Sequence, residues 1–99
     1  MPAFRLVLEE ANTVYRLSEL LLAEDAEIAY QWRQVMLQAG PDNTANIKLG
    51  DSELSGLRYG YLLVPGGEKT WDLFPDYVNT MEKYLFCEEA NQELLVELQ

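Results

Sequence analysis

Between Leu57 and Val64 the side chains fall on two sides of an extended chain. Leu57, Tyr59, Tyr61 and Leu63 share one side, Leu62 and Val64 the other, and Pro65-Gly66-Gly67 stops the run. A two-residue repeat gives no continuous stripe on a helix, and a lone strand leaves its backbone groups unpaired, so this run commits the chain to a sheet. Partners with the same period are present. Phe4, Leu6 and Leu8 alternate with Arg5, Val7 and Glu9, which reads as a short half-buried strand. The segment Asp42 to Gly56 is polar and rich in Gly, Asn, Asp and Ser, a loop with room for a short edge strand at Ile47–Leu49. Leu94, Val96 and Leu98 alternate in the tail, which fits either a closing strand or an extension of a helix.

Two helices are expected to cover the sheet. From Glu24 to Gln38 the apolar residues Ile28, Trp32, Val35, Met36 and Ala39 form one stripe. Glu24, Asp25 and Glu27 occupy the first turn, and Gly40-Pro41 ends the run. A second helix starts near Pro75, whose fixed φ suits the first helical position, and buries Phe74, Val78, Met81 and Leu85. Residues 13–23 satisfy both periods. Val14, Tyr15 and Leu17 suit a strand turned back on the first through Glu10–Asn12, and Val14, Leu17 and Leu21 also hold helical spacing; a hairpin followed by a helix is the preferred reading. The resulting expectation is one α+β domain over residues 1–99. It is a small two-layer sandwich, with a mainly antiparallel sheet of three to five strands packed by two helices.

Charge narrows the function. Seventeen acidic residues against seven basic ones give a net charge of −10. Such a surface is repelled by phosphate backbones and anionic membranes, so direct nucleic-acid or membrane binding is not expected, and a positively charged protein partner is. The single cysteine, Cys87, allows no internal disulfide, the N-terminus carries no secretory pattern, and no apolar stretch approaches bilayer length. A reducing location follows as an expectation: bacterial cytoplasm or the cytoplasm of a virus-infected host.

The chemistry-bearing motifs fail on detail. Gly66-Gly67-Glu68-Lys69-Thr70 resembles a phosphate loop, but Glu68 stands where the glycine before the lysine must be. Asp42–Glu53 offers oxygen donors for calcium, but Ile47 sits at the sixth position where the loop needs glycine. With no histidine there is no ready general base near neutral pH and no zinc set, and the acidic neighbours of Cys87 work against a thiolate. No cofactor, metal or catalytic residue is therefore assigned, and the chain is read as a non-enzymatic binding protein.

The acidic residues crowd two stretches. Glu9, Glu10, Glu19, Glu24, Asp25 and Glu27 form the first, and Glu82, Glu88, Glu89, Glu93 and Glu97 the second. Carboxylates spaced over a rigid fold can imitate phosphate rows and occupy the basic groove of a nucleic-acid-binding protein. That places the chain with acidic inhibitors of the phage or mobile-element anti-defence kind, such as anti-CRISPR proteins and nucleic-acid mimics. The candidate contacts are Glu24, Asp25, Glu27, Glu82, Glu88 and Glu89, with Tyr30 and Trp71 as aromatic anchors. The alternative is a structural or adaptor subunit that forms homo- or hetero-oligomers, including a homodimer joined through an open sheet edge or the Leu94–Leu98 tail.

Overall fold

A computed structural model describes residues 2–99. The strands are β1 (Ala3–Leu8), β2 (Thr13–Arg16), β3 (Gln31–Trp32), β4 (Gln34–Ala39), β5 (Ile47–Gly50), β6 (Tyr61–Leu63), β7 (Glu68–Asp72), β8 (Val78–Asn79), β9 (Tyr84–Cys87) and β10 (Gln92–Leu98). One helix, α1 (Leu17–Glu24), and a 3-10 turn at Thr80–Glu82 complete the described elements. The pairing is nested about the β5–β6 loop: β5 with β6, β4 with β7, β2 with β9 and β1 with β10, all antiparallel. The long hairpin then rolls up, because β10 also pairs with β4 and β9 with β5. Two four-stranded sheets result, in the orders β1-β10-β4-β7 and β2-β9-β5-β6, with β3 and β8 as a separate ribbon. This is jelly-roll connectivity.

The expected two-helix sandwich is thus corrected to a mostly β domain with one short helix. The chain expected to be helical from Glu24 to Gln38 begins where α1 ends and becomes β3 and β4. Val35 and Ala39 are four residues apart, a spacing that puts two side chains together on a helix and on a strand alike. Leu37 and Met36 separate the two cases: Leu37 is buried and Met36 is half-exposed, as a strand requires. β4 lies between β10 and β7, so its backbone is hydrogen-bonded along both edges. Gly40 ends the strand where the chain passes closely over β10; a Cβ there would lie 2.9 Å from Cβ of Glu93.

The second expected helix is also absent. Residues 75–85 hold β8, the 3-10 turn and the start of β9, so Val78 and Leu85 are buried while Phe74 and Met81 are exposed. The Asn79 side chain accepts from the Met81 N–H (3.0 Å) and starts the tight turn there. Of the Leu57–Val64 run only Tyr61–Leu63 is paired. Leu57 is 98% exposed, in a loop that folds over the outer face of its sheet and sets Gly56 against Phe86. β2 forms, but it pairs with β9 rather than with β1, because the Glu9–Asn12 turn carries the chain from one sheet to the other. Asn12 takes φ 54° in that turn, and its N–H donates to the Cys87 carbonyl (2.8 Å). β5 sits inside its sheet rather than at an edge, and the Leu94–Leu98 alternation belongs to β10, also internal.

Both sheets turn most of their leucines inward. Leu6, Leu8, Leu37, Leu94 and Leu98 from one sheet and Ile47, Leu49, Leu63 and Leu85 from the other join Leu17 and Leu21 of α1 in one buried cluster. Each such side chain contributes about 1.5–3 kcal/mol on burial. α1 packs against β1 and β2 and closes that edge of the sandwich. At the opposite edge, β6 and β7, Lys69 lies over the Tyr61 ring (5.0 Å) and Lys83 over the Trp71 ring (4.7 Å), so lysine stems cover apolar surface there.

Cys87 ends β9 with 1% of its surface exposed, and its Sγ–H donates to the Asn46 carbonyl (3.3 Å). Burial pushes the thiol above its ordinary range, although the backbone N–H groups of Glu89 and Glu88 favour the thiolate and offset the repulsion from their carboxylates. Alkylation of the native protein near pH 8 is expected to run at least about a hundredfold slower than in denaturant, since the thiolate is the nucleophile. Equal rates would show that the end of β9 opens freely.

Candidate docking surface

All seven cationic side chains are engaged. Arg5 pairs with Glu93, Lys48 with Glu88 (3.1 Å) and Arg58 with Glu53 (2.7 Å). The other four lie over aromatic rings: Arg16 on Tyr84, Arg33 on Phe74, Lys69 on Tyr61 and Lys83 on Trp71. Fourteen of the seventeen carboxylate side chains therefore have no cationic partner among the described residues. The negative charge faces outward and is not compensated internally.

The fold spreads these carboxylates over separate surfaces. At one end the β1–β2 turn brings Glu9 and Glu10 beside Glu88 and Glu89 of the β9–β10 turn, joined by the Asn12–Cys87 hydrogen bond. At the other end the 3-10 turn carries Glu82, in a groove with Lys69, Lys83 and Trp71, whereas Glu24 at the close of α1 lines a depression with Arg5, Val7 and Glu9 on the β1 side, with Asp25 and Glu27 following it in the chain. A helix C-terminus carries partial negative charge, so carboxylates there are unfavourable by about 0.3–1 kcal/mol each. No basic residue stands in the last turn to offset them. The Asp25 side chain accepts from the Glu27 N–H (3.1 Å) and holds this acidic turn in shape.

The same end exposes apolar side chains. The Tyr30 carbonyl accepts from the Thr80 N–H (2.8 Å) and hydroxyl (3.1 Å), and the β3–β8 ribbon sets Gln31 opposite Asn79 and Trp32 opposite Val78. This ties the chain that follows α1 to the 3-10 turn and to the loop between β7 and β8. Phe74 and Tyr77 on that loop are 70% and 63% exposed, and Leu73, Tyr30 and Met81 are exposed as well. Asp72, Asp76 and Glu82 interrupt them in sequence and are exposed too. Single exposed apolar residues are ordinary, whereas aromatic side chains and methionine gathered in one region have the composition enriched at protein interfaces.

Of the residues singled out from sequence, the structure brings Tyr30 to the 3-10 turn that carries Glu82, leaves Asp25 and Glu27 on the chain leading to Tyr30, and sets Glu24 apart beside Glu9. Trp71 is a buttress rather than an exposed anchor: it faces the core from β7, opposite Val35, with Lys83 across its ring. A groove lined by Trp71, Lys69, Lys83, Tyr61 and Glu82 runs beside it. Glu88 and Glu89 lie just beyond the far end of β9, five and six residues from Lys83, the first about 17 Å away at strand rise. Sequence reasoning missed Leu73, and it placed Phe74 and Met81 on a buried stripe because a helix was expected there. Their signal was the company they keep, since apolar residues bracketed by Asp72, Pro75 and Asp76 describe an exposed loop.

Gly66-Gly67 is a turn between β6 and β7 in which the Gly67 N–H donates to the Val64 carbonyl (2.7 Å), and the strand β7 follows rather than a helix. Among the described residues no three Cys, Asp or Glu side chains converge as a metal site would require, and no helix is long and apolar enough to cross a membrane. Compared with family models, curated proteins and solved structures, the chain matches none.

Proposed function

We propose that this chain is a non-enzymatic protein-binding domain, an acidic inhibitor that occupies a basic site on a nucleic-acid-handling protein. The observation that carries this reading is the α1–ribbon end, where Asp25, Glu27 and Glu82, without cationic partners among the described residues, lie on segments tied to those that expose Tyr30, Phe74 and Tyr77. Unpaired carboxylates steer the approach to a basic groove, and aromatic side chains supply short-range binding once the surfaces meet. The assignment to anti-CRISPR or nucleic-acid-mimic inhibitors is an analogy of charge and size.

Affinity capture from host cells at low and high salt tests it. A basic nucleic-acid-binding protein should be recovered at low salt and lost as salt rises. Reversing Glu24, Asp25 and Glu27 to lysine together is expected to weaken that capture at least about tenfold, a loss of 1.4 kcal/mol or more. Affinity that ignores both the reversal and the salt would remove this surface from the mechanism.

A second reading, an adaptor subunit, is favoured by a different observation. β6 is an edge strand, and Tyr61, Leu62 and the adjoining Val64 are exposed along it. Such a subunit would self-associate irrespective of salt, so a monomer mass by light scattering at high and low salt would exclude the homodimer.

A further inference from the structure

The two sheets differ on their outer faces. The Asp51–Gly60 loop folds over one, where Lys48 Nζ donates to the Gly56 carbonyl (2.6 Å) and lies 5.0 Å from the Tyr59 ring centroid. The outer face of β1-β10-β4-β7 has no such cover and forms a shallow depression of about 490 Å³. The strand register puts Arg5, Leu95, Gln38 and Glu68 in one row across it, with Ala3, Glu97, Met36 and Thr70 in the next. Leu95 and Met36 stand on the two central strands, both half-exposed, with the small Ala3 and Thr70 at the margins. An antiparallel sheet facing water normally turns polar side chains outward, so two large apolar residues on adjacent central strands depart from that pattern.

The charge of this face selects the occupant. Arg5 is held by Glu93, whose carboxylate keeps the guanidinium firmly protonated. Glu68 and Glu97 have no cationic partner among the described residues. We propose that this face docks a cationic amphipathic helix of a partner protein, with apolar side chains on Leu95 and Met36 and Lys or Arg side chains on Glu68 and Glu97. The dimensions suit one helix: four strands span about 14 Å, against about 10–12 Å for a helix with its side chains. Addition of a strand to the free edge is disfavoured, because Glu68, Lys69 and Asp72 put charges along β7. This docking face is separate from the α1–ribbon end and rests on the protein-binding reading by giving the partner a second point of contact.

Titration of the full chain with a fluorescent leucine–lysine model helix tests it, alongside a scrambled peptide of the same composition and a leucine–glutamate helix. The leucine–lysine helix should bind at least about tenfold more tightly than either control. Leu95→Gln with Met36→Gln, and separately Glu68→Gln with Glu97→Gln, should each lower its affinity by about tenfold or more. Phe74→Ser with Tyr77→Ser should leave that affinity unchanged while abolishing partner capture. Amide shift changes on the wild-type chain should centre on Met36 and Leu95, a readout that requires no variant to fold. Equal binding of the scrambled peptide, shifts centred elsewhere, or loss of binding in the Phe74/Tyr77 variant would overturn the docking face. If the model helix fails to bind but partner capture persists, the docking face falls and the inhibitor reading stands. If the helix binds and capture fails, the reverse holds.

Discussion

Truncating Leu37 to alanine is expected to destabilise the domain by about 3–4 kcal/mol, while the same truncation of its neighbour Met36 costs under about 1 kcal/mol. Leu37 is 2% exposed on the inner face of β4, in the cluster that joins both sheets, so its removal leaves a cavity between strands hydrogen-bonded on both sides. Met36 points to the opposite face and keeps contact with water in the folded state. For a domain this size 1 kcal/mol moves the melting temperature by about 4–8 °C, so Leu37→Ala should lower it by roughly 15–25 °C. Against a total stability of about 5–15 kcal/mol this is between about a quarter and most of the whole. Urea denaturation of the two variants under one set of conditions gives the answer. The opposite order, with Met36 costly and Leu37 cheap, is the helical register and would refute β4.

The second large effect is polar. Gln92 is 3% exposed at the start of β10 and uses its whole amide. Its Oε1 accepts from the N–H groups of Thr44 (2.8 Å) and Ala45 (3.1 Å), and its Nε2 donates to the Thr44 hydroxyl (3.0 Å) and the Ala90 carbonyl (2.9 Å). Beside it, the Asn43 side chain donates to the Glu93 carbonyl and accepts from the Glu93 N–H, both at 2.8 Å. These two amides hold the β4–β5 crossover, which passes between the sheets, against the β9–β10 turn. Gln92→Ala strips partners from the N–H groups of exposed Thr44 and half-buried Ala45 at once and is expected to cost about 1–3 kcal/mol, since water replaces part of what is lost. Gln92→Glu retains the acceptor, loses both donated bonds and adds a buried charge, so it should not restore stability. Hydrogen exchange supplies the local readout: the Thr44 and Ala45 amides should lose protection in both variants before the centre of β4 does. Unchanged protection there would mean that the crossover is held by something other than Gln92.

Both predictions fall where the amino-acid order was hardest to read. Phe4–Leu8, Ile47–Leu49 and Glu93–Leu98 all carry a two-residue repeat, and each lies in a strand. Val35 and Ala39, in contrast, fit both periods, and the half-buried Trp32 and Ile28 upstream continue a helical phase that the backbone does not follow. Helix propensity is a weak prior when a segment is bracketed by two strands that satisfy its N–H and C=O groups, and those strands are remote in sequence. The register of β4 pairs Leu37 with Val96 on one side and Lys69 on the other.

The candidate surface divides in the same way. That Glu24, Asp25, Glu27 and Glu82 meet water, and that Tyr30 lies off the core, could be reasoned from charge and phase alone. Which of them share a surface was decided by the nested hairpin. It brings Tyr30 to Thr80 and gathers the β7–β8 loop around them, while β9 holds Glu88 and Glu89 away from that end. The sequence alone determined a charge that no internal pairing could neutralise, since seven cations cannot balance seventeen carboxylates in any fold. It also determined a chain with enough alternating apolar segments to require a sheet. Tertiary structure decided where that charge stands and which apolar side chains are left outside, because both depend on contacts between strands far apart in the chain, whose pairing energy no local window contains.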